Sequence, residues 1–385
     1  MKISKNIAFP VIILHIGAIH PSICPFRLTR LTHRYLFYYL YIRGNNNLSM
    51  TAIKKNISRA DFLRIGAAAA GALAMSPVVT SCHAIRGCRN DNRSNIKGVQ
   101  MGVITYSFRD MPSSSAGDTL LYTLGAGLGS VELMGGVADS FAHVPPMQHT
   151  PRRGQENGTI LQHALQHDEM RMKAPDDFKP DYEAYTRLAE LYRRAGVGIH
   201  ILKYSPSAAM TDAQLDHIFA ACRAIGAIGV TTELSEETAE RVAPFAEKYD
   251  RYLIFHNHFQ AVKRNWHGYD TYLRYSPKIM INFDAGHYFG CTGNDPCDII
   301  REYHNHIVSI HVKDKTSPRH GNRSKPWGEG EMPLPQLFDL VASNAGRKGW
   351  PVHCDIELEY RVPQGSSPVE EVARCLDYAR ACITG

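Results

Sequence analysis

Nine cysteines occur in this 385-residue chain, at positions 24, 82, 88, 222, 291, 297, 354, 375 and 382, yet no two of them form a CxxC pair. That absence excludes a zinc ribbon and a CxxC redox motif. Cys291 and Cys297 are the one pair close enough in sequence to suggest a disulfide, and buried free thiols account for most of the others. A Gly-rich phosphate turn is also missing: the segment after the first strand-like run reads YSFRDMPSSS, with neither GxGxxG nor a Walker loop. Acidic residues are nearly absent from the first hundred positions, where Lys and Arg are frequent. The net charge of +6 is therefore an N-terminal property, and the remainder is near neutral or slightly acidic. Such a balance carries no electrostatic footprint of a nucleic-acid binder, so no nucleic-acid partner is expected.

The N-terminus reads as an address. Lys54, Lys55, Arg59 and Arg64 precede an Ala-rich run, IGAAAAGALAMSPVV, that ends in Val79-Thr80-Ser81-Cys82. This is the order of an export signal, and the run is too short and small-sided for a membrane span. Small residues before Cys82 resemble a bacterial lipobox, which makes Cys82 a candidate lipid anchor and places the protein in the periplasm or on a membrane as a lipoprotein. The segment from Ser58 to Leu63 resembles a twin-arginine signal except that Ala60 stands where the second Arg belongs. A buried Ala-rich helix is the alternative, and the polar stretch from Arg86 to Lys97 that follows favours the signal. The expected organisation is an upstream extension from a start codon placed too early (1–49), the signal (50–82), a linker (83–98) and one catalytic domain (99–385).

From Val99 onward, short apolar runs alternate with amphipathic segments, as in repeated βα units. Strands are expected at 99–108, 130–135, 197–205, 229–235, 252–259, 278–288, 306–314 and 350–360. A long polar insertion separates the second strand from a helix that opens at Pro180 and stops at Gly196. Further helices fit from Thr211, over 236–250, 268–275, 295–303, 334–345 and 367–382. Eight such units match a single (β/α)8 TIM barrel.

Barrel enzymes carry their chemistry at the C-terminal strand ends. Those positions hold Glu132, Lys203, Glu233, His256, His258, Asp284, His287, His311, Lys313, Asp314, Asp355, Glu357 and Glu359. Period-two alternation puts His256 with His258, and His311 with Lys313, on faces that point into the mouth. Imidazole with carboxylate suits Mn, Zn, Fe, Co or Ni, whereas all-oxygen sites suit Mg or Ca. A divalent ion there polarises a carbonyl while a flanking base moves a proton. Against this, a strand-end Glu such as Glu132 or Glu359 is often a rim residue or a cap. His217, His304, His306 and His320 read as surface groups, and His353 as a core residue. Lys203 and Lys313 are costly inside a barrel unless paired. Glu329, in the WGEGE loop, either faces a substrate or belongs to a turn.

HNHF (256–259), NFDAGH (282–287), SIHVKD (309–314), WGEGEMPLPQLF (327–338) and DIELEY (355–360) resemble the xylose isomerase-like sugar phosphate isomerase/epimerase superfamily, which includes endonuclease IV, inosose dehydratases and ketose 3-epimerases. The resemblance covers essentially all of 99–385. It implies one divalent ion (Mn, Zn, Co, Fe or Mg) and a sugar substrate. Asp284, His311 and Glu357 match the family's ligand positions; the epimerases' strand-five Glu is replaced by His256-Asn257-His258, leaving His258 or Glu233 to supply the missing ligand. The catalytic set expected beside them is His256, His287, Lys313 and Glu357, with Glu132, Lys203 and Glu329 against the substrate. The implied reaction is isomerisation, epimerisation or lyase chemistry on a non-phosphorylated sugar or keto-glycoside. An endonuclease IV-like phosphodiesterase and a non-catalytic sugar-binding lipoprotein are the alternatives.

Overall fold

Each apolar run becomes a parallel strand: β1 (Val99–Ile104), β2 (Ser130–Met134), β3 (Gly198–Lys203), β4 (Gly229–Glu233), β5 (Tyr252–His256), β6 (Ile279–Asp284), β7 (Ile307–Val312) and β8 (His353–Ile356). The computed structural model describes residues 94–144, 180–263 and 267–385. The upstream extension, the export signal with Cys82, most of the linker and residues 145–179 of the polar insertion lie outside the described residues.

The strands run in the order β1-β8-β7-β6-β5-β4-β3-β2, and pairing of Val103 with Val131 and Ile104 with Glu132 closes the ring. A two-residue strand, Asn95–Ile96, pairs antiparallel with the start of β1. Helices α1 (Ala116–Gly125), α2 (Gly135–Phe141), α3 (Tyr182–Arg194), α4 (Asp212–Ile225), α5 (Glu236–Tyr249), α6 (Asp270–Leu273), α7 (Ala285–Thr292), α8 (Pro296–Tyr303), α9 (Leu334–Asn344) and α10 (Pro368–Thr384) surround it. Their starts are where capping chemistry puts them. Thr211 and Gln214 form a capping box on α4, Ser235 caps α5, and Asp295 caps α8 ahead of Pro296. Leu188, Ile218, Val242, Leu337 and Val372 are wholly buried against the sheet. Each stabilises the domain by roughly 1.5–3 kcal/mol relative to exposure.

Two irregularities aim inward-facing groups. Val131 and Glu132 pair with Ile199 and Ile201, so His200 is the extra residue of a bulge in β3; Ile281 and Asn282 pair with Ile307 and Ser309, so Val308 is the extra residue of one in β7. Several expectations need correction. The first strand stops at Ile104 and turns through a 3-10 segment, Thr105–Phe108, and the insertion opens with α2. Cys291 and Cys297 are free thiols rather than a disulfide. His217 is buried, not a surface group, with Nε2 3.3 Å from the Tyr185 hydroxyl. Among the described residues, no helix is long and apolar enough to cross a membrane.

Candidate active site

The closed parallel ring brings the ends of β4 to β8 together over the barrel axis, and the polar side chains there form one buried network. His256 Nε2 lies 3.1 Å from Asp284 Oδ2, and His311 Nδ1 lies 2.9 Å from Glu357 Oε2. His256, Asp284, His311 and Glu357 each offer an atom within 4.8 Å of the others, and all four are buried. The opposite nitrogens of the two rings are anchored by carboxylates: His256 Nδ1 at 3.3 Å from Glu233 Oε1, and His311 Nε2 at 2.7 Å from Glu132 Oε2. An imidazole held from behind presents its other nitrogen in a fixed tautomer and direction. Two nitrogens and two carboxylate oxygens so oriented are a donor set that fits Mn, Zn, Co or Fe.

Lys313 neutralises the same oxygens. Its ammonium lies 2.7 Å from both Asp284 Oδ2 and Glu357 Oε2 and 3.3 Å from Glu359 Oε1. Gly286 makes the approach possible, because a Cβ there would collide with Lys313 Cγ. Burial works against the Asp284 and Glu357 carboxylates, but for Asp284 the neighbouring His287 and Lys313, and for Glu357 Lys313 and His311, hold both well below the usual range. For His287, burial dominates and pushes the ring down to about 4 despite Asp284; its Nδ1 is buried without a hydrogen-bond partner.

Two carboxylates of the network reach the mouth. Glu233 is 20% exposed and is held by His258 Nδ1 at 2.6 Å and Lys203 Nζ at 2.9 Å. Glu359 is 19% exposed, with His287 Nε2 at 3.4 Å. Burial opposes both charges, but His258 and Lys203 keep Glu233, and Lys313 and His287 keep Glu359, ionised far below the usual carboxylate range. β4 and β8 stand four places apart in a ring of eight. The two glutamates therefore approach the mouth from opposite sides.

The two strand-five histidines, expected as a catalytic group (His256) and a metal ligand (His258), fall in two overlapping groups. His256 converges with Asp284, His311 and Glu357, while His258 pairs with Glu233 and joins a second group made of Glu233, His256 and His258. Glu132 does not line the mouth: it is wholly buried below His311, where it also accepts from Thr231 at 2.6 Å and Asn282 at 2.7 Å. Glu329 is exposed. Its loop is a turn gathered by Asp314, whose carboxylate accepts the amides of Gly328 and Gly330 at 2.8 and 2.9 Å. Asp355, read as a strand-end group, and His353, read as a core residue, belong to a layer beneath that sequence reasoning did not assemble: Asp355 accepts from Ser309 at 2.6 Å and meets His200 Nε2 at 2.8 Å, with His200 stacked on His353. Sequence reasoning also missed Lys315 and gave Glu359 too little weight.

The fold and this cluster define a (β/α)8 barrel with a His, Asp and Glu centre at its C-terminal mouth. A profile of the xylose isomerase-like TIM barrel family matches residues 169–380, more than half of the chain, and the chain belongs to that family. No curated protein matches it. D-psicose 3-epimerase from Clostridium cellulolyticum H10, solved with D-tagatose, is 10% identical and superposes with a TM-score of 0.50, covering 74% of this chain and 99% of that one. A sugar phosphate isomerase/epimerase from Parabacteroides distasonis ATCC 8503 is 17% identical, with a TM-score of 0.47 and coverage of 77% and 99%. The probable 3-DHS dehydratase AsbF from Bacillus anthracis is 14% identical, with a TM-score of 0.48 and coverage of 72% and 97%. At such identities the psicose epimerase likeness speaks to the barrel alone.

Proposed function

We propose that the protein is a metal-dependent isomerase or epimerase that moves a proton on the carbon beside a sugar carbonyl. One observation carries this reading: His256, Asp284, His311 and Glu357 converge within 4.8 Å, between two partly exposed glutamates on opposite sides of the mouth. These four residues would hold one divalent ion, which supplies Lewis-acid polarisation of the carbonyl. Glu233, kept ionised by His258 and Lys203, accepts the proton, and the electron pair left behind moves toward the carbonyl oxygen. On the other side Glu359, beside His287, takes a proton from solvent and passes it to the carbon as the electron pair returns from the carbonyl oxygen. The strand-five glutamate of the epimerases is absent, and Glu233, at the end of β4, faces both strand-five histidines. With Glu359 it makes a two-sided pair of carboxylates, which favours isomerisation or epimerisation over elimination. The export signal read at 50–82 and the lack of a phosphate turn favour a non-phosphorylated sugar.

The test is incubation of the manganese-loaded protein with ketoses and keto-glycosides in deuterated water. Deuterium entering the carbon beside the carbonyl, with E233Q lowering the rate by a hundredfold or more, is the expected result. Release of an aglycone without exchange of the starting sugar would replace the epimerase reading with a lyase, and no reaction with any member would leave the binding-protein alternative.

A further inference from the structure

A second ammonium stands beside the saturated one. Asp314–Lys315 pairs antiparallel with Ser324–Lys325. Lys315, two residues beyond Lys313, shares its face, while Asp314 turns the other way to gather the loop amides. The Lys315 stem crosses α7 at Gly290, where an added Cβ would come within 2.8 Å of Lys315 Cε and collide with Asn322 Oδ1. The residue is 5% exposed. Lys313 has three carboxylate partners, whereas no carboxylate among the described residues lies within ion-pair distance of the Lys315 ammonium. The charges that act on it, Glu359, Lys313 and Asp284, set it at the edge of the cluster. Beside it Asn322 donates to Cys291 Sγ, leaving its Oδ1 buried without a partner. An ammonium on a buried stem with no carboxylate at ion-pair distance and a buried acceptor with no donor both cost stability, and a ligand carrying an anion next to a hydroxyl relieves both at once.

We propose that Lys315 and Asn322 form a subsite for a hydroxy-carboxylate on the substrate, so that the sugar is an acidic one, such as a uronic or keto-sugar acid. This rests on the sugar-site reading above. Lys315 donates to the carboxylate, and Asn322 Oδ1 accepts from the adjacent hydroxyl. A phosphate ester is the other source of an anion, but the subsite offers it one ammonium and no bidentate guanidinium. The N-terminus of α7 is already taken by the Asp284 carboxylate, which accepts from the His287 amide at 2.7 Å.

Calorimetric titration of the manganese-loaded full chain with glucuronate, galacturonate and gluconate, against glucose, galactose and glucose 6-phosphate, tests this without requiring turnover. The acids are expected to bind at least tenfold more tightly than the neutral sugars. K315M should abolish that preference while leaving the neutral sugars unchanged, and K315R should keep it. Equal affinity for acids and neutral sugars, no measurable binding of the acids, a preference that survives K315M, or tighter binding of the phosphate would each overturn the subsite. Failure of the proton-transfer reading shows instead as absent deuterium exchange with the acid preference intact.

Discussion

The ring of His311 is clamped between two carboxylates, with Glu132 Oε2 2.7 Å from Nε2 and Glu357 Oε2 2.9 Å from Nδ1. Glu132 lies at the floor and Glu357 at the ligand level, so the floor residue dictates which nitrogen faces the centre. E132Q keeps the shape and removes the charge. Manganese affinity, measured by competition with a fluorescent chelator, should fall roughly 10–100-fold while the far-ultraviolet circular dichroism stays that of the parent. Unchanged affinity would mean that Glu132 only fills space.

Lys313 and a divalent ion address the same two oxygens, on Asp284 and Glu357. K313M leaves three carboxylates without their shared counter-charge. In chelator it should lose about 3–5 kcal/mol of stability. Added manganese should recover more of that loss than it adds to the parent, as read from thermal melts. Equal stabilisation of both proteins by the metal would contradict the shared-oxygen account.

Gly286 opens the path of the Lys313 stem, and a Cβ there would meet the Lys313 backbone carbonyl at 2.8 Å as well as the side chain. Overpacking of this kind costs about 1–3 kcal/mol. Urea midpoints of G286A should drop accordingly, with weaker metal binding because Lys313 is displaced. A midpoint equal to the parent's would show that the lysine can shift freely.

At the barrel floor, His353 is half-buried with Nδ1 wholly buried and unpartnered; burial and the neighbouring His200 push the ring down to about 3. The unfolded chain takes up this proton near pH 6.5 and the folded chain does not until near pH 3. The contribution is therefore complete above pH 6.5 and stability declines as pH falls through that window. Between pH 7 and pH 5 the parent should lose about 2 kcal/mol that H353Q does not lose. Parallel urea-derived pH profiles for the two proteins would exclude His353 as the source.

The eight strands and the triplet Asp284, His311 and Glu357 were legible because alternation and strand-end position are local properties of the chain. The depth of Glu132 was not: it depends on pairing with Ile104 across the closing seam of the barrel. His200 turns inward through a bulge, which breaks the period-two pattern that would have identified it. The different neighbours of His256 and His258 follow from β5 ending at His256, so that only the first ring is fixed by the sheet. Lys315 was hidden by its place after an expected strand, where a short antiparallel pairing continues the same face.

The central claim is that His256, Asp284, His311 and Glu357 hold one divalent ion. Elemental analysis by inductively coupled plasma mass spectrometry, after saturation with manganese or zinc and removal of the excess, should find one ion per chain in the parent and almost none in D284N or H311Q variants that still melt cooperatively. A parent protein without a stoichiometric ion, or a D284N variant that retains it fully, would contradict the account.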